Sequence, residues 1–281
     1  MTNILHTLLI DLRKMTNRTP CPGGRPVLIG ALVLQLAGST AFAAVGGARA
    51  FPMAKGNPGN PAVVPLNSNA FGTTYEDLAA KFWQWQFSMP VTASPAFDTA
   101  NCSTNQSGKV WFLAGSSLPF ETSPGVLMAV AYRNCKVPNG TALFFPVLDA
   151  ECSTIPGDQL PPFQPEPAQL KGCARYAATF IDRSKLIVIV DGVPVRALGQ
   201  YQASSPNFPI GPLPANNMLE SFGLTAPAGT KGEAAVDGIH LLLHPLPPGL
   251  HTLYIHAEVD QTSVDGPRII FDTTYQLSVG K

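Results

Sequence analysis

Twenty-eight prolines and 25 glycines in 281 residues constrain this chain more than any motif it carries. A proline inside a helix removes a backbone donor and clashes with the preceding turn, and in a sheet it is confined to edges and bulges. Long uninterrupted helices are therefore disfavoured over most of the length, and short elements joined by tight turns are favoured. Hydrophobic residues make up 45% of the chain, enough to bury a core, so the composition predicts a folded, turn-rich, mainly β protein. Charged residues are only 13%, with 18 basic and 18 acidic groups. A nucleic-acid partner is excluded on that balance, because neutralising phosphates needs a basic excess.

The apolar run Pro26 to Leu36 follows Arg13, Lys14, Arg18 and Arg25 and precedes Ala41-Phe42-Ala43. Basic, apolar, then A-x-A is the order of a secretory signal peptide, and the run is too short to span a bilayer. Residues 1–43 are expected to be that leader, with translation starting at Met15, which gives it an ordinary length; a second cleavage point follows Ala50. No other stretch is long and apolar enough to span a membrane. Removing four basic groups and Asp11 leaves 14 basic against 17 acidic residues, so the remaining chain is slightly acidic. Removing Cys21 leaves Cys102, Cys135, Cys152 and Cys173, an even set in an oxidising compartment, which reads as two disulfides. Of the three connectivities, Cys102–Cys135 with Cys152–Cys173 closes the local loops and is the expected one. Zinc ligation is disfavoured, since no C-x-x-C pair occurs.

Residues 44–70, rich in Pro, Gly and Asn, are expected to form a flexible leader, and residues 71–281 a single domain. Thr73 with Glu76 has capping-box spacing, and Tyr75, Leu78, Ala79, Phe82 and Trp85 recur at helical period up to Met89-Pro90, predicting an amphipathic helix. From Lys109 the pattern turns to β: 109–114, 126–132 and 141–148 are strand-length apolar runs, and Pro146 makes the last an edge strand or a bulge. A proline-rich loop over 153–167 leads to a second helix at about 168–183. KLIVIV, then Asp191-Gly192, then Val193-Pro194-Val195 reads as a two-residue hairpin. Residues 238–244, 250–259 and 268–279 are read as three up-and-down strands. The predicted architecture is a two-layer antiparallel β-sandwich with an N-terminal amphipathic helix and one inserted helix.

Chemistry is sparse. His240, His244, His251 and His256 cluster near the C-terminus. On strands, an i, i+4 pair lies about 13 Å apart at ~3.3 Å per residue, so no metal site is expected; His240, His256 and Glu258 are the one set whose hairpin geometry would permit one. Asp149 with Glu151, and Glu258 with Asp260, are carboxylates at two-residue spacing on one side of a strand end. Asp149, Glu151 and Glu258 are thus the catalytic candidates for a hydrolase acting on glycans or esters. Trp83, Trp85 and Trp111 are binding candidates, as aromatic faces stack on sugars, although tryptophans at such positions are commonly core anchors. No Gly-x-Ser-x-Gly, P-loop, dinucleotide fingerprint or His-Glu-x-x-His occurs, so no cofactor is expected.

Four segments carry a resemblance: Tyr75-x-x-Leu78-Ala79-Ala80-Lys81-Phe82-Trp83-Gln84-Trp85, Gln106-x-Gly108-x-Val110-Trp111-Phe112-Leu113-Ala114-Gly115, Cys135-x-Val137-Pro138-x-Gly140 with Phe144-Phe145-Pro146-Val147, and Pro247-Pro248-Gly249-x-His251-Thr252. Together they resemble a group of uncharacterised secreted bacterial β-sandwich proteins over residues 71–279. The resemblance implies bacterial export and a sandwich fold, and it assigns no activity and no site residues. The expected function is a secreted or periplasmic, non-catalytic binding or envelope-associated protein, with a cell-envelope component or extracellular glycan as partner. A secreted hydrolase using the paired carboxylates is the alternative.

Overall fold

The computed structural model describes residues 57, 59–97 and 102–280, so the expected signal peptide, residues 1–43, lies outside the described residues. The described residues form eleven strands and three helices. Helix α1 spans Tyr75–Phe87, α2 Pro167–Ala178 and the single turn α3 Met218–Ser221. Strands β1 (Val110–Phe112), β4 (Ala142–Ser153), β9 (Gly232–Leu243) and β7 (Gln202–Ser204) form one sheet in that order, with β8 (Phe208–Ile210) also on β9. Strands β2 (Phe120–Ser123), β3 (Val126–Val137), β11 (Arg268–Val279), β10 (Gly249–Asp260), β5 (Ile187–Val190) and β6 (Val193–Pro194) form the other. The predicted mainly β sandwich is the observed architecture. Its sheets are mixed, however, because β1 runs parallel to β4 and β3 parallel to β11.

The sheets differ in how their sequences are buried. β3 alternates strictly, with Leu127, Ala129, Ala131, Arg133, Cys135 and Val137 turned inward and the residues between them turned out. Such alternation belongs to a sheet with one solvated face. β9 is buried at every position from Ala234 to Leu243, as its nearly unbroken apolar run requires of a strand covered on both sides. We call its sheet the inner sheet. One face carries α1, where Tyr75 meets Phe144 edge-on at 6.0 Å. The other faces the outer sheet and α2: Leu148 packs with Leu127, Val259 and Ile269, and Ala150 with Ala177 and Ala178.

This layering corrects the three-stranded C-terminal meander. β10 and β11 pair antiparallel over their whole lengths, but β9 pairs with β4, β7 and β8 in the inner sheet. The segment 245–248, with Pro245, Pro247 and Pro248 unable to donate ladder bonds, is an arch between sheets and not a hairpin. The predicted hairpin at Asp191-Gly192 is present, with both residues at positive φ (49° and 79°) as a two-residue turn between twisted strands needs.

Helix α1 begins one residue later than predicted: the Thr74 hydroxyl accepts from Asp77 N at 3.2 Å, which places Tyr75, Leu78 and Phe82 on the buried side. The described part of the expected leader is packed against the fold. Val63 and Val64 are fully buried, Val64 N donates to Leu242 O at 2.8 Å, and the Tyr75 hydroxyl donates to Val64 O at 2.6 Å while accepting from Leu242 N at 3.0 Å. Burial raises that hydroxyl's pKa well above its ordinary value, so it stays a donor.

Both disulfides form with the expected connectivity, Cys102–Cys135 and Cys152–Cys173. The second ties α2 to β4 across a separation of 21 residues. Replacing Cys152 and Cys173 together by Ser is expected to lower unfolding stability by about 2–4 kcal/mol, read from the urea midpoint; an unchanged midpoint would show that α2 is held by packing alone.

Candidate functional site

β4 is long and β1 is short. Their ladder runs only from Val110–Ala142 to Phe112–Phe144, and Leu113 N then donates to Phe144 O at 2.9 Å. Beyond that point no strand among the described residues pairs with this edge of β4. At the same place the register with β9 slips between Pro146 and Leu148, a bulge, one of the two forms expected of a strand with Pro146 in it. Val147 is the extra residue. It moves side-chain parity by one, so that Phe144 and Pro146 before it share a face with Asp149 and Glu151 after it. In register, Pro146 opposes His240 and Asp149 opposes Gly238.

A cavity of about 200 Å³ lies beside this free edge. Phe82 and Trp83 of α1 wall one side, Ile255, Ile269 and Phe271 of the outer sheet another, and Met218 of α3 with its C-cap Phe222 a third. Segment 115–119 and β4 residues 146–150 complete it. The lining is predominantly apolar, and its charged members are Asp149 and Asp158, with no basic side chain among them. The nearby Arg133 donates through Nη2 to Gly115 O at 3.2 Å and lies 6.0 Å from the Tyr275 ring.

Asp149 is the best organised polar group. Trp83 Nε1–H donates to its Oδ2 at 2.9 Å, and His240 Nε2 lies 3.0 Å from the same oxygen. His240 is wholly buried and stacks on Phe144, with centroids 5.5 Å apart and planes at 14°. Its Nδ1 has no partner among the described residues. The Asp149 side chain is only 7% exposed, and its Oδ1 has no hydrogen-bond partner among the described residues. Gly238 makes the approach possible: a Cβ there would sit 2.4 Å from Asp149 Cα.

Glu151, one pleat further on, meets Asp158 from the loop after β4. Asp158 accepts from Ser153 N at 2.9 Å and from the Ser153 hydroxyl. Burial pushes the Glu151 carboxyl well above its usual range, and the neighbouring charge of Asp158 and a hydrogen bond to it add to the rise. Burial likewise pushes Asp158 up to about 7 against the lowering effect of the Ser153 bonds. Two buried carboxyls this close disfavour each other's ionised form, which is why both are raised.

The other sequence candidates disperse. His256 and Glu258 lie on the outer sheet's solvent side, in a chain that runs from the Tyr254 hydroxyl to Asp272 (2.7 Å), to His256 Nδ1 (2.9 Å), and from His256 Nε2 to Glu258 (3.4 Å) and on to Arg268. Burial, followed by the hydrogen bond to Asp272, pushes Tyr254 up to about 12. His240 belongs to the other sheet, so the set His240, His256 and Glu258 is not brought together, and no group of three metal-ligating side chains occurs among the described residues. Of the tryptophans, Trp83 alone lines the cavity. Trp85 is buried against Phe82 and Phe112 with Nε1–H on Thr104 O, and Trp111, on β1, makes no ring contact with the other two. His251 is inward, as its parity predicts, and bridges Asp191 (2.6 Å) and Pro247 O (2.7 Å) at the arch. Asp158 was not singled out from the sequence; its place in a proline-rich loop gave no period from which to aim its side chain. No protein family, no curated protein and no solved structure matches this chain.

The acid pair sets a pH dependence. Below about pH 4 these carboxyls are protonated folded or unfolded. As pH rises from there through about 7, the unfolded chain releases protons that the folded pair retains, so stability falls over that window. The melting temperature is expected to decline from pH 5 to pH 8, with a shallower decline in Glu151→Gln; identical slopes would place the titrating groups elsewhere. Gly238→Ala is expected to destabilise by about 1–3 kcal/mol or more and to shift the Trp83 indole N–H resonance, and retention of both values would contradict the close approach.

Proposed function

We propose that this protein is a non-cytoplasmic, non-catalytic binding protein that holds a small apolar molecule in the cavity between α1, the free edge of β4 and the outer sheet. The single observation carrying this reading is that cavity: apolar walls from three elements, with one preorganised carboxylate on β4. Apolar concavity with few fixed polar groups is the common form of a small-molecule site. Two disulfides fit an oxidising compartment, and no helix among the described residues is long and apolar enough to cross a membrane. Export through the leader at residues 1–43 and residence in the periplasm or outside the cell belong to the same proposal. A glycan platform is less well supported, because only Trp83 borders the cavity and Trp85 is spent on the core.

Indole is a suitable probe, since an apolar cavity of ~150 Å³ accommodates benzene. Saturable binding with a Kd of about 1 mM or tighter is expected by protein-observed NMR, or −4.1 kcal/mol, within the roughly −0.3 to −1.5 kcal/mol per heavy atom that small ligands reach. Ser117→Trp, which fills the cavity rim, is expected to abolish it. Absence of saturable shifts at cavity residues in the folded wild type would refute the reading.

One observation favours a hydrolytic reading instead: Glu151 is buried beside Asp158, which lines the cavity, and its carboxyl is held well above the usual range, as a general acid requires. Release of p-nitrophenol from aryl esters or glycosides that is lost in Glu151→Gln would establish it, and no turnover by folded protein would close it.

A further inference from the structure

The geometry points to a ligand that is an apolar monoamine, bound as its cation with the ammonium on Asp149 Oδ1 and the hydrocarbon against Trp83, Phe82 and Phe271. This inference rests on the ligand-binding reading above and adds its charge and chemical class.

Three features carry it. The first is an unused acceptor. Both protein donors to Asp149, the Trp83 indole and the His240 imidazole, converge on Oδ2, and Oδ1 has no partner among the described residues although the side chain is 93% buried. An acceptor oxygen that borders the cavity and is engaged by no protein donor is a ready partner for a ligand N–H, and a charge-assisted bond there is stronger than a neutral one. The second is the sign of the field. Asp149 and Asp158 are the charged lining residues, and the nearby Arg133 guanidinium is turned to Gly115 O and Tyr275. In low-dielectric surroundings that arrangement favours a cation and opposes a carboxylate or phosphate. The third is the wall itself. Phe82, Trp83 and Phe271 present hydrocarbon to the space beside Asp149, so the part of a ligand beyond its head group has to be apolar.

Size limits the hydrocarbon. About 200 Å³ suits one ring with a short chain, so 2-phenylethylamine, 2-phenylethanol and phenylacetate form a matched set differing in the head group. Isothermal titration at pH 7 and 0.15 M salt is expected to give at least tenfold tighter binding for the amine than for the alcohol, and no measurable heat for phenylacetate. Asp149→Asn is expected to bring amine and alcohol to within about threefold of each other while alcohol binding persists, with circular dichroism verifying the fold. The wild-type comparison decides the charge of the ligand even where that variant fails to fold. Equal wild-type affinities for amine and alcohol, or tighter phenylacetate, would overturn the monoamine inference while leaving the cavity reading intact. An undiminished amine preference in folded Asp149→Asn would remove Asp149 as the anchor and overturn it too. Failure of all three probes to bind would overturn both readings.

Discussion

The bulge at Pro146–Leu148 is the constraint on which the rest of this architecture depends. One extra residue in β4 reverses which side chains face α1 and which face the outer sheet. Leu148, Ala150 and Cys152 are thereby directed toward the outer sheet and α2, where they pack on Ile269, pack on Ala177 and form the disulfide to Cys173. Asp149 and Glu151 take the α1 face beside His240 and Gly238. Without the phase change the carboxylates would point into the layer occupied by Ala177 and Ile269, where the apolar contacts leave them no donors.

That placement brings carboxyl groups into an interior that has few charges to spare. Each is accommodated differently. Asp149 takes two N–H donors on one oxygen, Asp158 takes the Ser153 amide and hydroxyl, and the Glu151 carboxyl is pushed by burial well above its usual range. The outer sheet handles its charges in the opposite way: Asp272, His256, Glu258 and Arg268 form a continuous polar chain on the solvent side, where water screens what the pairs leave unsatisfied. The outer chain ends on the Arg268–Glu258 ion pair, so its last carboxylate has a cationic partner. The inner set stops short, with Asp149 Oδ1 at a cavity, and that asymmetry separates a candidate site from ordinary surface electrostatics.

Much of the fold was legible because its signals are local. The period of α1, the Asp191-Gly192 turn, the alternation of β11 and the bulge at Pro146 each follow from a few neighbouring residues. Local loop closure also chose the disulfide pairing. The arch after β9 was misread as a hairpin although a cue was present: β9 is apolar on both faces whereas β10 alternates, which places them in sheets with different surroundings. Proximity in sequence outweighed that cue and wrongly made His240 and His256 neighbours.

The composition of the core, the oxidised cysteine pairs and the parity of the β4 carboxylates are local properties, since burial preference, loop closure and side-chain alternation act over short stretches of chain. Packing at long range is what brings Asp149 to Trp83 and His240, at sequence separations of 66 and 91, and Asp158 to Glu151. Those meetings depend on how a helix, two sheets and a proline-rich loop stack. Stacking is set by the sum of many weak apolar contacts, none of which is written in the spacing of the residues it brings together.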